Sequence, residues 1–264
     1  MRRTTQGFTL VELVTVLVLL GILAVGVSSF LIFGTRIFVD SSAIDRIIGS
    51  SRYAMERMTR ELRNAVPASV RVGANGTAQC VEFVPIAASG SYLDMPFDHS
   101  AKNGTVFTPS SPLQVGWQLF IYPLTASDIY DIKRNKRVII NSIDETKGEY
   151  TTEVSFHNAL RFSEASPAQR FYAATTPVSY CFFASGELVR YQDYGYQDSQ
   201  PLPPSVGGAL MAEYLDNTLS AQDLPLSVVN GTLNSNAIVQ LSPRFAINGD
   251  SFTYQHQVQV FNVP

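Results

Sequence analysis

A run of apolar residues from Phe8 to Phe33 constrains this 264-residue chain more than any other feature of its sequence. A helix over these 26 residues would be about 39 Å long, which is enough to cross a bilayer. The run contains one ionisable side chain, Glu12, and a charge inside a membrane costs roughly 2.5–3.5 kcal/mol on insertion scales. Because Arg2 and Arg3 precede the run, we expect the short N-terminus to stay in the cytoplasm and the rest to be exported.

Two ordinary kinds of membrane segment fit this run less well. A secretory signal has a shorter apolar region followed by a small-x-small cleavage site, and neither is evident in the sequence. A plain single-pass anchor fits the length but leaves Glu12 without an explanation. The sequence therefore predicts a membrane helix whose carboxylate needs a compensating partner.

The composition argues against several other functions. The chain is 45% hydrophobic with a net charge of −3 and lacks a block of Lys or Arg, so nucleic acid is not expected as a partner. No Walker loop, GxSxG or HExxH motif occurs, and His99, His157 and His256 are far apart in sequence. We expect no catalytic residue, no cofactor and no metal. The stretch Asp193–Asp198 lacks the alternating oxygen ligands of a calcium loop and is interpreted as a solvated loop.

The two cysteines, Cys80 and Cys181, form no CxxC motif and are too far apart in sequence to indicate a zinc site. In an exported chain they are expected to form one disulfide that closes a loop of about 100 residues. In a cytosolic chain they would be two buried free thiols. The residues themselves leave both interpretations open.

The helix is predicted to continue beyond the apolar run. Apolar residues recur at spacings of three, four and seven from Ile44 to Leu62, and charged residues occupy the other faces. Val66-Pro67 ends the pattern. The expected organisation is a leader over 1–7, a transmembrane and assembly helix over 8–34, an amphipathic helix over 35–66, and a β-rich globular head over 67–264.

The sequence after Pro67 has the character of β structure, so the fold class is α+β. Predicted strands are Cys80–Val84, Leu119–Tyr122, Val138–Asn141, Val154–His157, Val178–Phe183, Leu188–Tyr191, Ile238–Leu241 and the alternating segment Phe252–Val260. Predicted hairpin turns are Asn75-Gly76, Asn103-Gly104, Asn230-Gly231 and Asn248-Gly249. His256 falls in the apolar phase of its strand, which predicts a core or interface position. The segment 207–217 is interpreted as a short helix.

The N-terminal sequence MRRTTQGFTLVE resembles the type III prepilin signal of the type IV pilin-like family. A short basic leader ends in Gly7, Phe8 follows, Glu12 lies four residues further on, and an unbroken apolar helix continues. The resemblance implies that a prepilin peptidase cuts after Gly7 and N-methylates Phe8. It also implies a pilin-like lollipop, in which a long N-terminal helix, half of it transmembrane, packs on a β-rich antiparallel head.

Processing of this kind would give Glu12 its partner. Cleavage creates a positive amine on Phe8, and in a fibre of parallel staggered helices Glu12 of one subunit can reach the Phe8 amine of its neighbour. An ion pair in a low-dielectric environment offsets the burial of a carboxylate that alone would be unfavourable. We therefore expect Glu12 to set the register of subunit assembly, as a buried polar residue does in a coiled coil.

The head contains a finer resemblance. The segments VEFVPI, SPAQRFYAATTPVSYCF, LVRYQDYGY and VQVFNVP resemble minor pilin-like subunits of the mannose-sensitive haemagglutinin (MSHA) pilus, the MshO family. This resemblance implies a low-abundance subunit that helps to start or cap a type IV pilus. The implied partners are prepilin peptidase, other minor and major pilins, the inner-membrane assembly platform and membrane lipid.

The same resemblance implies a location and a covalent bond. The chain would cross the inner membrane once with its C-terminal head in the periplasm, and it could be incorporated at the pilus tip on the cell surface. In such families a cysteine pair in the head usually bridges, which implies a Cys80–Cys181 disulfide.

Three alternatives remain open at this point. A J-type minor pseudopilin of a type II secretion system has the same helix and a similar head. A surface adhesin or DNA-uptake pilin would present an exposed basic or aromatic cluster, and the basic run Ile132–Arg137 is better interpreted as a solvated turn. A membrane anchor that is never processed would keep its leader and would be indifferent to Glu12→Val.

Overall fold

The computed structural model describes residues 7, 9–221, 223–232, 235–247 and 249–261. Cleavage and methylation at Phe8, the leader residues 1–6 and Asn248 of one predicted turn therefore lie outside the described residues. The chain divides into two compact units, Met1–Gly49 and Ser50–Pro264. Each unit is described by itself.

The first long element is helix α1, Leu10–Arg63. Its apolar side chains in the first unit are exposed, for example Leu10 at 78%, Phe30 at 74% and Phe38 at 72%. Helix α1 is long and apolar enough to cross a membrane, judged by length and composition. An exposed apolar surface of this extent requires lipid or neighbouring chains as its environment.

Within the second unit, the last turns of α1 follow the predicted amphipathic pattern. Ala54, Met55, Met58 and Leu62 are buried at spacings of one, three and four residues. The helix ends at Arg63, three residues before the predicted boundary at 66. The reason is a change of backbone partner, because Ala65 bridges Pro85 and the Val66 N–H donates to the Val84 carbonyl oxygen at 2.8 Å.

The rest of the second unit is mostly antiparallel β structure. Its strands are β1 Arg71–Ala74, β2 Ala78–Phe83, β3 Ile86–Asp94, β4 Ala101–Phe107, β5 Gln118–Ile121, β6 Arg137–Asp144, β7 Thr151–Leu160, β8 Arg170–Ala174, β9 Val178–Phe183, β10 Leu188–Tyr191, β11 Ala209–Ala212, β12 Leu226–Val229, β13 Ala237–Leu241, β14 Arg244–Ile247, β15 Asp250–Thr253 and β16 His256–Val260. Its short helices are α2 Ala126–Tyr130 and two 3-10 turns, Ile132–Arg134 and Leu219–Ala221. The α+β prediction is confirmed, with a long N-terminal apolar helix followed by a β-rich antiparallel head.

The strands form two main assemblies. Five strands pair in the order β1-β2-β9-β10-β11, and six others close into a barrel in the order β3-β4-β7-β6-β5-β8. The barrel interior is filled by apolar side chains, including Leu119, Ile121, Val154, Phe156 and Phe171. The interior of this barrel is therefore a packed core and leaves no channel for a ligand.

Two smaller groups of strands lie near the C-terminus. Strands β12-β13-β16 form a three-stranded sheet in that order, and β14 pairs with β15. Strand β16 therefore pairs with β13 on one side and is an edge strand on the other.

Most of the predicted strands are confirmed. Val178–Phe183 and Leu188–Tyr191 coincide with β9 and β10, and the other predicted strands before Phe252 overlap β2, β5, β6, β7 and β13. Two of the four Asn-Gly pairs, those at 75–76 and 230–231, lie at hairpin connections, and so does Gly249 of the pair at 248–249. Of the last pair Gly249 is described, with φ of +91°.

Three predictions about the head are wrong, and a fourth is wrong in part. Asn103-Gly104 lies inside β4, and 209–212 of the predicted helix is strand β11 because it pairs with β10. The C-terminal alternating segment is two strands, because the Tyr254 N–H donates to the Pro243 carbonyl oxygen between them. His256 begins β16 opposite buried Leu241 but is exposed at the end of the sheet, so the core position is wrong and the alternative interface position stays a prediction.

Candidate functional site

The start of α1 carries the residues predicted to direct processing and assembly. Gly7 is exposed. Thr9 precedes the helix, and its Oγ1 accepts a hydrogen bond from the Glu12 backbone N–H at 3.3 Å. The Thr9 carbonyl oxygen accepts from the backbone N–H groups of Glu12 and Leu13 at 3.1 and 3.2 Å. Thr9 is therefore the N-cap of α1, and Glu12 occupies the third helical position.

This geometry gives Glu12 a local role in addition to the predicted one. The spacing Thr-x-x-Glu is that of a capping box, and Glu12 is the acidic residue of the first helical turn. The positive end of the helix dipole stabilises such a carboxylate by about 0.3–1 kcal/mol, which is less than the roughly 2.5–3.5 kcal/mol of membrane insertion. For a helix inserted in a membrane, the helix terminus would offset only part of the cost of Glu12.

The threonine hydroxyl groups further along the apolar part of the helix bond to the helix backbone. Thr15 Oγ1 donates to the carbonyl oxygens of Val11 and Glu12, both at 3.0 Å, and Thr35 Oγ1 donates to that of Leu31 at 2.9 Å. Glu12 is the only ionisable residue from Thr9 to Thr35, and it is exposed in the single chain. An exposed apolar helix with one carboxylate is suited to lateral association with a positively charged neighbour.

The two cysteines are joined across the five-stranded sheet. Cys80 of β2 lies directly opposite Cys181 of β9, with an S–S distance of 2.08 Å and a Cα–Cα distance of 4.1 Å. Both residues are fully buried. The structure therefore holds the bonded arrangement and not two free thiols.

A partly buried carboxylate, Glu61, attaches the last turns of α1 to this sheet. It accepts hydrogen bonds from Arg57 Nε and Arg190 Nε, both at 3.0 Å, and from the Tyr180 hydroxyl at 3.1 Å. Burial, together with the adjacent carboxylate, raises the pKa of Tyr180 well above its usual value. Glu61 thus connects the helix to β9 through the Tyr180 hydroxyl and to β10 through the Arg190 guanidinium, while Arg57 belongs to the same helix.

A second carboxylate, Glu82 of β2, is fully buried and accepts hydrogen bonds on the opposite side of the sheet. Arg71 donates to Glu82 through Nε, and the Tyr194 hydroxyl donates to Glu82 at 3.0 Å. Arg71 also donates to the carbonyl oxygens of Asp198 and Gln197 at 2.7 and 2.8 Å. Burial raises the pKa of Glu82 above its usual value, although Arg71 and Tyr194 oppose the shift.

The stretch Asp193–Asp198 is held against the head by these hydrogen bonds and by ring contacts. Tyr196 packs its ring against Phe120 and Tyr130, with centroids 6.1 and 6.2 Å apart. The tyrosines of this segment are therefore part of the fold and do not form an exposed contact patch. Within the part of the chain that the structure describes, no three His, Cys, Asp or Glu side chains are grouped closely enough to hold a metal ion.

The basic run Ile132–Arg137 is only partly exposed. Lys136 and Arg137 are 6% and 8% exposed, and Lys136 Nζ lies 2.6 Å from Glu164 and 3.8 Å from Asp128. The interpretation as a wholly solvated turn is therefore wrong for half of its basic side chains. The run offers no continuous cationic surface to DNA or to another polyanion.

Comparison with known proteins bears on the N-terminal segment. The family model of the prokaryotic N-terminal methylation motif matches residues 2–28. No curated protein and no solved structure matches the chain. The motif supports a type IV pilin-like protein, a structural and non-enzymatic kind that is processed by prepilin peptidase and assembles with other pilins. The apolar helix is consistent with the single-pass membrane anchoring typical of pilins.

Sequence reasoning missed two features of this site. The capping role of Thr9 was readable, because a threonine three residues before a glutamate is a helix-start signal. Arg57 is an i,i+4 partner of Glu61, but the networks were not readable as wholes, because Tyr180 and Arg190 lie 119 and 129 residues from Glu61 and Tyr194 lies 112 residues from Glu82. No local spacing in the sequence indicates contacts of that range.

Proposed function

We propose that the chain is a minor pilin-like subunit that helps to initiate or cap a type IV pilus of the MSHA kind. Prepilin peptidase removes residues 1–7 and methylates Phe8, and the apolar part of α1 then packs beside the helices of other pilins. The Glu12 carboxylate of one subunit pairs with the Phe8 amine of the next. The observation that carries the proposal is the methylation motif over 2–28, continued by an exposed apolar helix with one carboxylate.

The proposal explains how the remaining cost of placing the Glu12 carboxylate in a membrane is offset. The dipole of α1 supplies less than the insertion cost of Glu12, and a neighbouring cation supplies the remainder in a low-dielectric environment. Removal of the charge should therefore ease membrane insertion while it weakens assembly. These opposite effects separate an assembly residue from a residue that only supports the helix.

The first experiment is mass spectrometry of the N-terminal peptide in membranes and in sheared surface fibres. A peptide that begins with N-methylated Phe8 in the fibres is expected for a pilus subunit. The same processed peptide confined to membranes would favour the J-type pseudopilin of type II secretion. A peptide that still begins at Met1 or Arg2 in both fractions would refute the prepilin assignment.

The role of Glu12 is tested with three variants in the full chain. Glu12→Gln keeps an acceptor at the third helical position but removes the charge, and Glu12→Val removes both. Thr9→Ala removes the cap and keeps the charge, so it is the matched control. We expect both Glu12 variants to reach the membrane at wild-type levels or above and to fall at least tenfold in fibre incorporation, whereas Thr9→Ala assembles. Assembly of Glu12→Gln at the wild-type level would show that the cap matters and the charge does not.

The assignment to an MSHA-like pilus rests on the four head segments that resemble MshO. A deletion strain separates this assignment from its competitor, and the same strain with the full chain restored on a plasmid is the control. Loss of surface pili without loss of protein secretion supports the pilus assignment. Loss of secretion with normal pili supports the pseudopilin, and normal pili with loss of attachment to a surface or of DNA uptake would support an adhesive or uptake role for the head.

A further inference from the structure

An open groove lies between the last turns of α1 and the C-terminal strand, within the second unit of the chain. It has a volume of about 560 Å³ and is lined by α1 residues between Arg52 and Arg63 on one side and by Tyr254–His256 on the other. Met55 and Thr59 are buried and form its floor. A second groove of about 470 Å³ is lined by Arg63, Gln257, Gln259 and Phe261. Arg63 belongs to both, and we call the two together the helix–strand groove.

The strand that lines the helix–strand groove, β16, lies at a free edge of its sheet. Strand β16 pairs with β13 through all five of its residues, and no residue of β13 lines either part of the groove. The groove is therefore lined by β16 without β13, and the unpaired edge belongs to the same strand. Among the described residues, the backbone of β16 has no hydrogen-bond partner other than β13. An edge of this kind is a template for a further strand.

The helix wall of the groove is positively charged. Arg52, Arg60 and Arg63 are exposed there beside one carboxylate, Glu56. In the part of the chain that the structure describes, none of the three arginines forms a salt bridge. Arg60 and Arg63 lie in the last turn of α1, where a cation also stabilises the helix dipole. Arg52 lies about three turns earlier, so the dipole does not account for it.

From these features we infer that the helix–strand groove binds an extended, acidic segment of a neighbouring pilin-like subunit. The segment adds to the free edge of β16 as a further strand, and its carboxylates face the arginines of α1. Backbone hydrogen bonds supply affinity, and the arginines select an acidic sequence. That the partner is a pilin-like subunit rests on the proposed function. That the bound segment is extended and acidic rests on the groove alone.

The experiment places the photo-crosslinking residue p-benzoylphenylalanine at Gln257 of the full chain in cells of the native host. Val229 is the control position, because it is exposed on β12 at the other edge of the same sheet. Mass spectrometry of the adducts identifies the captured segment and the residue attached. We expect Gln257, but not Val229, to capture an acidic segment of a different protein that carries a prepilin signal.

Charge variants test the selection of an acidic sequence. Arg60→Glu/Arg63→Glu should reduce the Gln257 adduct at least tenfold, and lysine substitutions of the mapped carboxylates should restore it. Lys102→Glu/Lys147→Glu makes the same change of net charge at exposed sites elsewhere in the head and should leave the adduct unchanged. Because the double arginine variant also loses dipole stabilisation, Arg52→Glu alone repeats the test away from the helix end and should lower the adduct severalfold.

Several results would overturn the inference. An adduct with a second copy of this chain, with lipid, or with a neutral or basic segment is incompatible with it. Equal adduct yields at Gln257 and Val229 would also contradict the inference. An adduct yield that the arginine variants leave unchanged would contradict it as well.

The same samples report on processing of Phe8, so the two proposals can fail separately. A methylated Phe8 without an acidic adduct refutes only the groove inference. An unprocessed N-terminus in every fraction refutes the proposed function, and the groove is then judged by the chemistry of the captured segment.

Discussion

Reduction of the Cys80–Cys181 disulfide should lower the free energy of unfolding by several kcal/mol. The two cysteines are separated by 101 residues along the chain. In the chain-entropy model, a cross-link that closes a loop of this length removes unfolded-state entropy worth about 4.7 kcal/mol at 25 °C. The bond lies between the central strands β2 and β9, so breaking it leaves their pairing in the native state intact and acts on the unfolded chain.

The perturbation should be reduction and not substitution. Both cysteines are fully buried, so Cys→Ala variants would add the cost of a cavity to the loss of the cross-link. Reduction keeps both sulfur atoms in place. A soluble reductant reaches them only when the sheet opens, so the reduced chain is prepared in urea and then refolded.

The assay is equilibrium urea unfolding of the full chain in detergent micelles, with and without reductant, followed by the fluorescence of Trp117. This residue is the only tryptophan of the chain, and it packs against the barrel core. With a urea m-value of about 2–3 kcal/mol/M, a loss of about 4.7 kcal/mol moves the midpoint down by about 1.6–2.4 M. Cys80→Ala/Cys181→Ala is the control and should show no response to the reductant.

A shift below about 1 kcal/mol, with alkylation showing that both thiols are free, would refute the reasoning. It would mean that the unfolded chain already keeps β2 and β9 together, so that the cross-link removes little entropy. A change in the m-value on reduction would identify that residual structure directly.

Three further predictions concern the head and use the same unfolding assay. Glu61→Ala should cost about 2–3 kcal/mol because it removes the acceptor of Arg190 Nε and of the buried Tyr180 hydroxyl, whereas Tyr180→Phe should cost only about 1 kcal/mol; equal costs would contradict this assignment. Burial raises the pKa of Glu82, so its contribution to stability is fullest below its usual pKa and declines as pH rises through the raised value. Wild type should therefore gain stability relative to Glu82→Gln between pH 7 and pH 4, and a relative loss would show that this pKa is lowered. Gly104→Ala should destabilise by about 1–3 kcal/mol, because its Cβ would meet the Met95 side chain; an unchanged midpoint would show that this side chain moves aside freely.

The sequence predicted well those features that depend on near neighbours in the chain. The run from Phe8 to Phe33 required a long apolar helix, and the spacing of Gly7, Phe8 and Glu12 identified the methylation motif that the family model matches. Strands β9 and β10 were predicted with their boundaries, because alternation and flanking turn residues are local signals.

Other features of the head depended on partners that no local pattern identifies. Asn103-Gly104 has the composition of a hairpin turn, yet it pairs with β7 along β4, since the barrel needs a continuous strand there. The segment Phe252–Val260 alternates without a break, yet a single hydrogen bond from Tyr254 to Pro243 divides it between two groups of strands.

The sequence by itself determined the long apolar helix segment, its single carboxylate and the α+β class, because periodicity and composition act over a few residues. Tertiary structure alone decided the closure of the barrel, the partners of Glu61 and Glu82 and the free edge of β16 beside α1. These features arise from contacts between residues far apart in the chain, and their energy is realised only when the whole head is assembled.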